Sequence, residues 1–205
     1  MLIARRFILL IALAITVVTN VHAQVEDISS RFYFPGSLGL SFPLTNGHTH
    51  LNNGLSLNTA VEYRPTYIND FFFRVDYDAL NNSYTSYIQT IPTNIVQGKL
   101  STDFLIAGAG YRKNLGKWGL YGILQPGFGI HSFDRAINAQ NGVTLHTVTI
   151  TRAAFKVDIG LEYYITHHFA AVFDPSFYKI FSHSGFNTSH SQFGAFNIGI
   201  TTTIF

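Results

Sequence analysis

Apolar and polar residues alternate along much of this chain with a period of two. In the segment 154–165 every second residue from Phe155 onwards is apolar, while Lys156, Asp158 and Glu162 occupy positions in between. Successive side chains of a β-strand point to opposite faces, so this spacing indicates a strand with one apolar and one charged face. Beyond the N-terminal apolar segment we find no convincing helical period, and the sequence predicts an all-β fold.

Eight segments carry strand signals of this kind. The predicted strands cover residues 32–42, 54–64, 70–79, 99–112, 118–132, 149–165, 169–179 and 192–205. The connections are short after the second, fourth and sixth strands and longer after the others. The longer, polar connections span 43–53, 80–98, 133–148 and 180–191. An even number of strands, with short turns at one end and long loops at the other, is typical of bacterial outer-membrane barrels.

The composition favours a barrel in a membrane. Charged residues make up 12% of the chain and aromatic residues 15%, whereas an ordinary soluble domain has about 25% charged residues. After the N-terminal segment, no apolar run approaches the roughly 18 residues of a transmembrane helix. The sequence has no cysteine, which excludes a disulfide framework. The predicted fold is an eight-stranded antiparallel transmembrane β-barrel with short periplasmic turns and longer outer loops.

The first residues have the pattern of an export signal. Two arginines precede an apolar run at 7–19, and Ala23 ends a small-residue cleavage motif. This order predicts a cleaved signal peptide at 1–23 and an outer-membrane barrel domain at 24–205. Without the two arginines, the 13 basic residues become 11, equal to the 11 acidic residues. Because the domain has no net positive charge, we do not expect nucleic acid as a partner.

Aromatic residues recur where the predicted strands reach the short-turn end. Such rings concentrate at membrane–water interfaces. The predicted periplasmic aromatic girdle consists of Tyr63, Phe71, Tyr111, Trp118, Tyr163, Phe169 and Phe205. Phe205 is also the last residue of the sequence, as is usual in barrels handled by the barrel-assembly machinery. Thr201 and Thr203 depart from the apolar alternation expected there, which leaves the register of the last strand open.

Two segments resemble a known family. "KNLGKWGLYGILQPGFGI" at 113–130 and "LEYYITHHFAAVFDPSF" at 161–177 are similar to the outer-membrane β-barrel domain family common in Bacteroidetes, which includes PorT-like proteins. The resemblance implies an eight-stranded barrel in the cell outer membrane, comparable with the small OmpA and OmpX types, and no particular activity. It also implies outer membrane lipid as a partner, and the barrel-assembly machinery during biogenesis.

In a transmembrane barrel the charged faces of the strands point inward. The predicted lumen charge network comprises Glu62, Arg64, Arg74, Asp76, Asp103, Arg152, Lys156, Asp158, Glu162 and Asp174, with Asp78 and Arg112 on the same faces. Side chains just fill the interior of an eight-stranded barrel, and an unpaired buried charge is very costly. We therefore expect a structural network of ion pairs and hydrogen bonds. A narrow ion path through this network is the alternative.

Few residues suggest catalysis or metal binding. His48 and His50 could offer two imidazoles to one metal ion, but histidines in a polar loop are the simpler interpretation. A lipid A deacylase would need a His-x-Ser arrangement, whereas His183 is followed directly by Ser184. The sequence therefore predicts no catalytic, cofactor-binding or metal-binding residues, and no cofactor.

The sequence as a whole favours a non-enzymatic integral outer-membrane protein. Its role would be structural, or would be recognition of an unknown ligand by the outer loops, since binding residues commonly lie on loops over a rigid scaffold. A membrane-embedded lipid-modifying enzyme or narrow pore is one alternative. A soluble periplasmic β-barrel that binds an apolar ligand is another, and in that case the apolar faces would point inward.

Overall fold

The computed structural model describes residues 31–44, 50–65, 70–87, 95–139, 142–166, 168–181 and 192–203. Nine strands form within these ranges. Their bounds are Phe32–Pro43 (β1), His50–Leu51 (β2), Gly54–Tyr63 (β3), Phe71–Tyr87 (β4), Ile95–Leu115 (β5), Trp118–Ala139 (β6), Gly142–Thr166 (β7), Phe169–Ile180 (β8) and Gln192–Thr203 (β9). Over the same ranges, no helix is both long enough and apolar enough to cross a membrane.

Eight of these described strands close into one antiparallel barrel. Around the sheet the order is β4, β3, β1, β9, β8, β7, β6 and β5, and β5 pairs with β4 to complete the ring. The first and last strands pair along their whole length, from Tyr33 opposite Thr203 to Pro43 opposite Phe193. Closure gives each of these eight strands two neighbours. Their backbone N–H and C=O groups therefore find hydrogen-bond partners, which hydrocarbon cannot provide. The predicted eight-stranded antiparallel barrel is confirmed, and the two-residue β2 adds to the edge of β4.

Four of the described strands are longer than the sequence predicted by more than five residues. β4, β5, β6 and β7 contain 17, 21, 22 and 25 residues, beyond the roughly 9–11 that cross a bilayer. The expected loops at 80–98 and 133–148 were wrong in large part, since these segments contain strand residues 80–87, 95–98, 133–139 and 142–148. Their Thr, Asn and Ser content resembles that of loops, yet they pair in register across each hairpin, as Asp134 does with Thr147.

The outer surface of the barrel is apolar, and the lumen holds the charges. Along β3, Ser56, Asn58 and Glu62 are buried inside, while Leu57 and Val61 are exposed outside. Every barrel strand contributes to the exposed apolar belt, for example through Leu38, Leu55, Val75, Leu105, Leu124, Ile159, Phe173 and Ile198. A belt of this kind suits lipid hydrocarbon. The soluble alternative requires the opposite arrangement.

Aromatic rings pair across strands at the short-turn end. The pairs join β1 to β3, β4 to β5 and β6 to β7, with centroid separations of 5.2, 5.5 and 4.8 Å: Phe32–Tyr63, Phe71–Tyr111 and Trp118–Tyr163. Phe169 is half-buried at the start of β8, and Phe205 lies outside the described residues. Thr201 and Thr203 are buried and face the lumen, which fixes the register of β9 and explains why these two positions are not apolar.

Candidate functional site in the barrel lumen

Charged residues fill the lumen at the short-turn end. We call Glu62, Arg64, Arg112, Glu162 and Tyr164 the lower cluster. The Arg112 Nη2 atom donates to Glu62 Oε1 at 2.9 Å and to Glu162 Oε1 at 3.0 Å. Arg64 contacts the same two carboxylates at 2.5 and 3.4 Å, and Tyr164 Oη donates to Glu162 Oε2 at 2.6 Å. The two guanidinium groups therefore neutralise the two carboxylates where bulk water is largely excluded.

Lys156 is the centre of a second group of charges, higher in the lumen. Its Nζ atom lies 2.7 Å from Asp76 Oδ2, 3.0 Å from Asp78 Oδ2 and 2.9 Å from Asp158 Oδ2. All four side chains are fully buried. The amide of Asn58 also donates to Asp78. Because β4 and β7 are not neighbours in the sheet, the contacts of Lys156 with the β4 carboxylates cross the lumen and brace opposite walls.

Arg74 extends this group to β8. Its Nε atom donates to Asp76 Oδ1 at 3.0 Å, and its Nη2 atom pairs with Asp158 and lies 3.9 Å from Asp174 Oδ2. Gln125 on β6 donates to Asp76 Oδ1 at 2.9 Å. The middle cluster is therefore defined as Arg74, Asp76, Asp78, Lys156, Asp158 and Asp174. It ties β4, β7 and β8 together at one level of the barrel.

An apolar plug fills the lumen above the middle cluster. Ten of the described residues pack together there: Leu80, Tyr84, Leu100, Phe104, Ile106, Ala154, Tyr178, Ile180, Phe193 and Ala195. The rings of Phe104 and Tyr178 lie 4.7 Å apart, and both rings are fully buried. The sequence pattern does not predict this plug, because only the polar faces of the strands were expected to line the interior. A signal was available, since Tyr178 and Ile180 continue the face of β8 that carries Asp174.

The sequence matches the outer membrane protein β-barrel domain family over residues 10–202. The chain belongs to this family. Membership of this family implies that the protein resides in the outer membrane. No curated protein matches the sequence.

Solved structures of other outer-membrane proteins share the fold of this barrel. Neisserial surface protein A has a TM-score of 0.55 and 20% identity, over 84% of this chain and 97% of that one. OprG from Pseudomonas aeruginosa has a TM-score of 0.53 and 10% identity, over 84% and 95% of the two chains. The outer membrane protease OmpT from Escherichia coli has a TM-score of 0.51 and 10% identity, over 91% and 100%. At these identities the similarity concerns the fold alone.

Most of the predicted lumen charges meet in the two clusters of the outer membrane barrel. The structure brings together Glu62, Arg64, Arg74, Asp76, Lys156, Asp158, Glu162 and Asp174. It does the same for Asp78 and Arg112. The alternating pattern therefore located these side chains on the inner face, although it could not show which residues contact each other.

Two predicted lumen residues lie elsewhere. Asp103 is on the outer face of β5, where Tyr77 Oη donates to it at 3.1 Å, so its expected position was wrong. The neighbouring Phe104 faces the lumen, where β5 carries an apolar side chain. The charge of Asp103 therefore did not indicate which face of β5 points inward. Arg152 is exposed, and among the described residues β8 pairs with β7 only from Ala154 onwards. Its expected place in the network was also wrong.

The described histidines do not form a metal site. His131 is buried next to the plug, and its Nδ1 atom lies 2.8 Å from Thr102 Oγ1. His146 is exposed on β7. His48, His183 and Ser184 lie outside the described residues, and the description of His50 is limited to its backbone. Within the described part of the chain, no group of three or more His, Asp and Glu side chains is arranged to hold a metal ion.

Proposed function

We propose that this barrel is a closed, non-enzymatic outer-membrane protein whose lumen stabilises the fold and whose long-connection end carries out recognition. The filled lumen is the observation that carries the proposal. Its charges pair across the barrel, and the apolar plug covers them. An ion in transit would have to separate buried ion pairs and then lose its hydration between Phe104 and Tyr178. These features support a structural lumen over a narrow pore.

Planar-bilayer recording tests the closure of the lumen. We expect the refolded chain to give no conductance above that of a protein-free bilayer. The double variant Phe104→Ala, Tyr178→Ala removes two rings of the plug and should raise the conductance. The matched control Phe128→Ala, Phe196→Ala removes two exposed rings of the outer belt and should not. Heat-modifiable gel mobility shows that each variant is folded, and steady channels in the unaltered chain would contradict the proposal.

The non-enzymatic role is proposed although one protein with this fold, OmpT, is a protease. In the lumen, arginine and lysine side chains engage the buried carboxylates, so these acids are poorly placed to act as bases on a substrate. Mass spectrometry of lipid A from cells with and without the chain tests the lipid-modifying alternative. We expect identical acyl patterns, and a new lipid A species would favour the enzyme.

The location within the cell and the partners are part of the same proposal. The exposed apolar belt supports outer membrane lipid as the surrounding medium. We expect the mature protein to begin at Gln24 by N-terminal sequencing, after removal of a signal peptide at 1–23. Depletion of the barrel-assembly machinery should lower the amount of folded protein in the outer membrane. Membership of the PorT-like group of Bacteroidetes stays a prediction from the sequence.

A further inference from the structure

The hairpin of β6 and β7 extends beyond the closed part of the barrel as a two-stranded ribbon. β6 pairs with β5 only as far as Phe133, and β7 pairs with β8 only from Ala154. β6 and β7 nevertheless continue to pair with each other until Ala139 meets Gly142. No other described strand covers the two edges of this ribbon. An isolated two-stranded hairpin is only marginally stable in water, so a third strand would stabilise it.

Beyond the described end of β8, β7 directs further backbone N–H and C=O groups to the side on which β8 pairs with it. Among the described residues, that ladder ends with the bond from Phe181 N–H to Ala153 C=O at 2.9 Å. Backbone groups of successive residues in an antiparallel strand point alternately to its two edges. Thr151 and Thr149 therefore direct their N–H and C=O groups to the same side as Ala153. Among the described residues, no strand pairs with that side, and the spacing of these groups suits one more antiparallel strand.

The two edges of the ribbon differ in their chemistry. From Gly142 to Thr151 the sequence contains no charged residue and no proline, and residues 148–151 are all β-branched. Natural proteins usually protect exposed strand edges with charges, prolines or bulges. The β6 edge has such charges in Asp134 and Arg135, whereas the β7 edge has none over this stretch. β7 is therefore the edge suited to pairing.

We propose that the β7 edge at residues 148–151 binds an extended segment of another protein, which adds as an antiparallel strand. This deepens the proposed function, on which it rests for the side of the membrane that the ribbon faces. Thr149 and Thr151 are exposed on one face, while Val148 and Ile150 are half-buried on the other. The segment that fits is uncharged and rich in threonine, serine and β-branched residues.

A second copy of the chain fits this edge less well. Two barrels in one membrane have the same orientation, and a two-fold axis along the membrane normal relates them in a closed dimer. Their β7 strands would then run in the same direction across the membrane. Two such edges would meet as a parallel pair, whose hydrogen bonds are slanted and slightly less stable. A separate polypeptide has no such restriction and can pair antiparallel.

Hydrogen exchange of the full chain in detergent micelles tests the proposal. The probe is a capped nine-residue peptide of alternating threonine and valine with a lysine at each end. Without peptide, the Thr149 and Thr151 amides should exchange rapidly, while Val148 and Ile150, whose amides point to β6, should be protected. With peptide, Thr149 and Thr151 should become protected in a saturable manner.

A proline variant supplies the matched comparison. Thr149→Pro removes an edge N–H without removing a bond to β6, and proline is tolerated at strand edges. It should weaken peptide binding about tenfold, the loss expected for one or two backbone hydrogen bonds. Thr149→Val keeps the N–H and should bind as the parent does. Equal binding by Thr149→Pro and the parent would overturn the proposal.

Two further outcomes would overturn it as well. Concentration-independent protection of Thr149 and Thr151 without peptide would show that the chain covers its own edge. Protection that rises with protein concentration would identify a second copy as the occupant. None of these results depends on the lumen, and the conductance experiment does not depend on the edge. Failure of the inference and failure of the proposed function are therefore distinguishable.

Discussion

Replacing Lys156 with methionine tests whether the middle cluster holds the barrel together. Methionine keeps most of the alkyl length but removes an ammonium group that contacts three carboxylates. Two of these carboxylates would still pair with Arg74, but Asp78 would keep only the amide of Asn58. Removing one partner of a buried ion pair costs about 3–5 kcal/mol. We expect a loss near the upper end of this range, because one ammonium group serves three acids.

Urea unfolding of the barrel in lipid vesicles measures this loss. Trp118, the single tryptophan of the sequence, is exposed at the short-turn end, and we expect its fluorescence to report transfer from the bilayer to water. Adding Asp78→Asn to Lys156→Met removes the unpaired charge and should recover about 2 kcal/mol or more. Lys99→Met alters an exposed lysine and should change the free energy of unfolding by less than about 0.5 kcal/mol.

Two results would refute this reasoning. One is a loss below about 1 kcal/mol for Lys156→Met, a size typical of exposed pairs. The other is a large loss that Asp78→Asn does not reduce, because the cost would then arise from packing and not from an unpaired carboxylate. The fluorescence of Trp118 in the folded variants should match that of the parent, which would show that the surroundings of Trp118 are unchanged.

Four further substitutions probe the belt and the lumen in the same urea assay. Ile159→Arg places a charge on the lipid-facing side and should cost about 2–4 kcal/mol; a cost near zero would mean that Ile159 does not face lipid. Gly160→Val should cost about 1–3 kcal/mol by overpacking, since a Cβ atom at this position would clash with the Tyr121 ring, and unchanged stability would show that the ring has room to move. Asp103→Leu should leave the free energy of unfolding unchanged or raise it, because Asp103 lies on the outer face. Asp76→Leu, by contrast, should cost about 3–5 kcal/mol. Equal losses for the two variants would show that Asp103 faces the lumen.

Strands were predictable here because a lipid-facing belt demands an apolar residue at every second position. The predicted centres of all eight barrel strands lie inside observed strands. Prediction failed where the inner face changes character along a strand. On β5 the inner face carries Thr102, Phe104 and Ile106, which are all buried, while its outer face carries Asp103. No periodicity in one strand reveals which face is inside when both faces are largely apolar.

The contacts of the lumen and the extent of the ribbon were beyond sequence patterns for different reasons. Lys156 and Asp76 are 80 residues apart, and their meeting depends on the stagger of strands that are not adjacent. The ribbon contains Thr144 and Asn138 in strands where composition indicates a loop. Its strand structure comes from cross-strand pairing, such as that of Asn138 with Val143, and a pattern read along one segment does not report on its partner.

The long-range bracing between β4 and β7 has a consequence for how the barrel is made. Before β9 meets β1, the sheet is open and the charges on its concave side have no opposite wall to pair with. An open sheet entering the bilayer would expose Lys156 and its three acids to hydrocarbon, at a cost of several kcal/mol for each ion. Contacts this distant in sequence also form slowly. We therefore expect insertion to require a closed sheet, and a chain truncated before β9 should be missing from the membrane fraction of expressing cells.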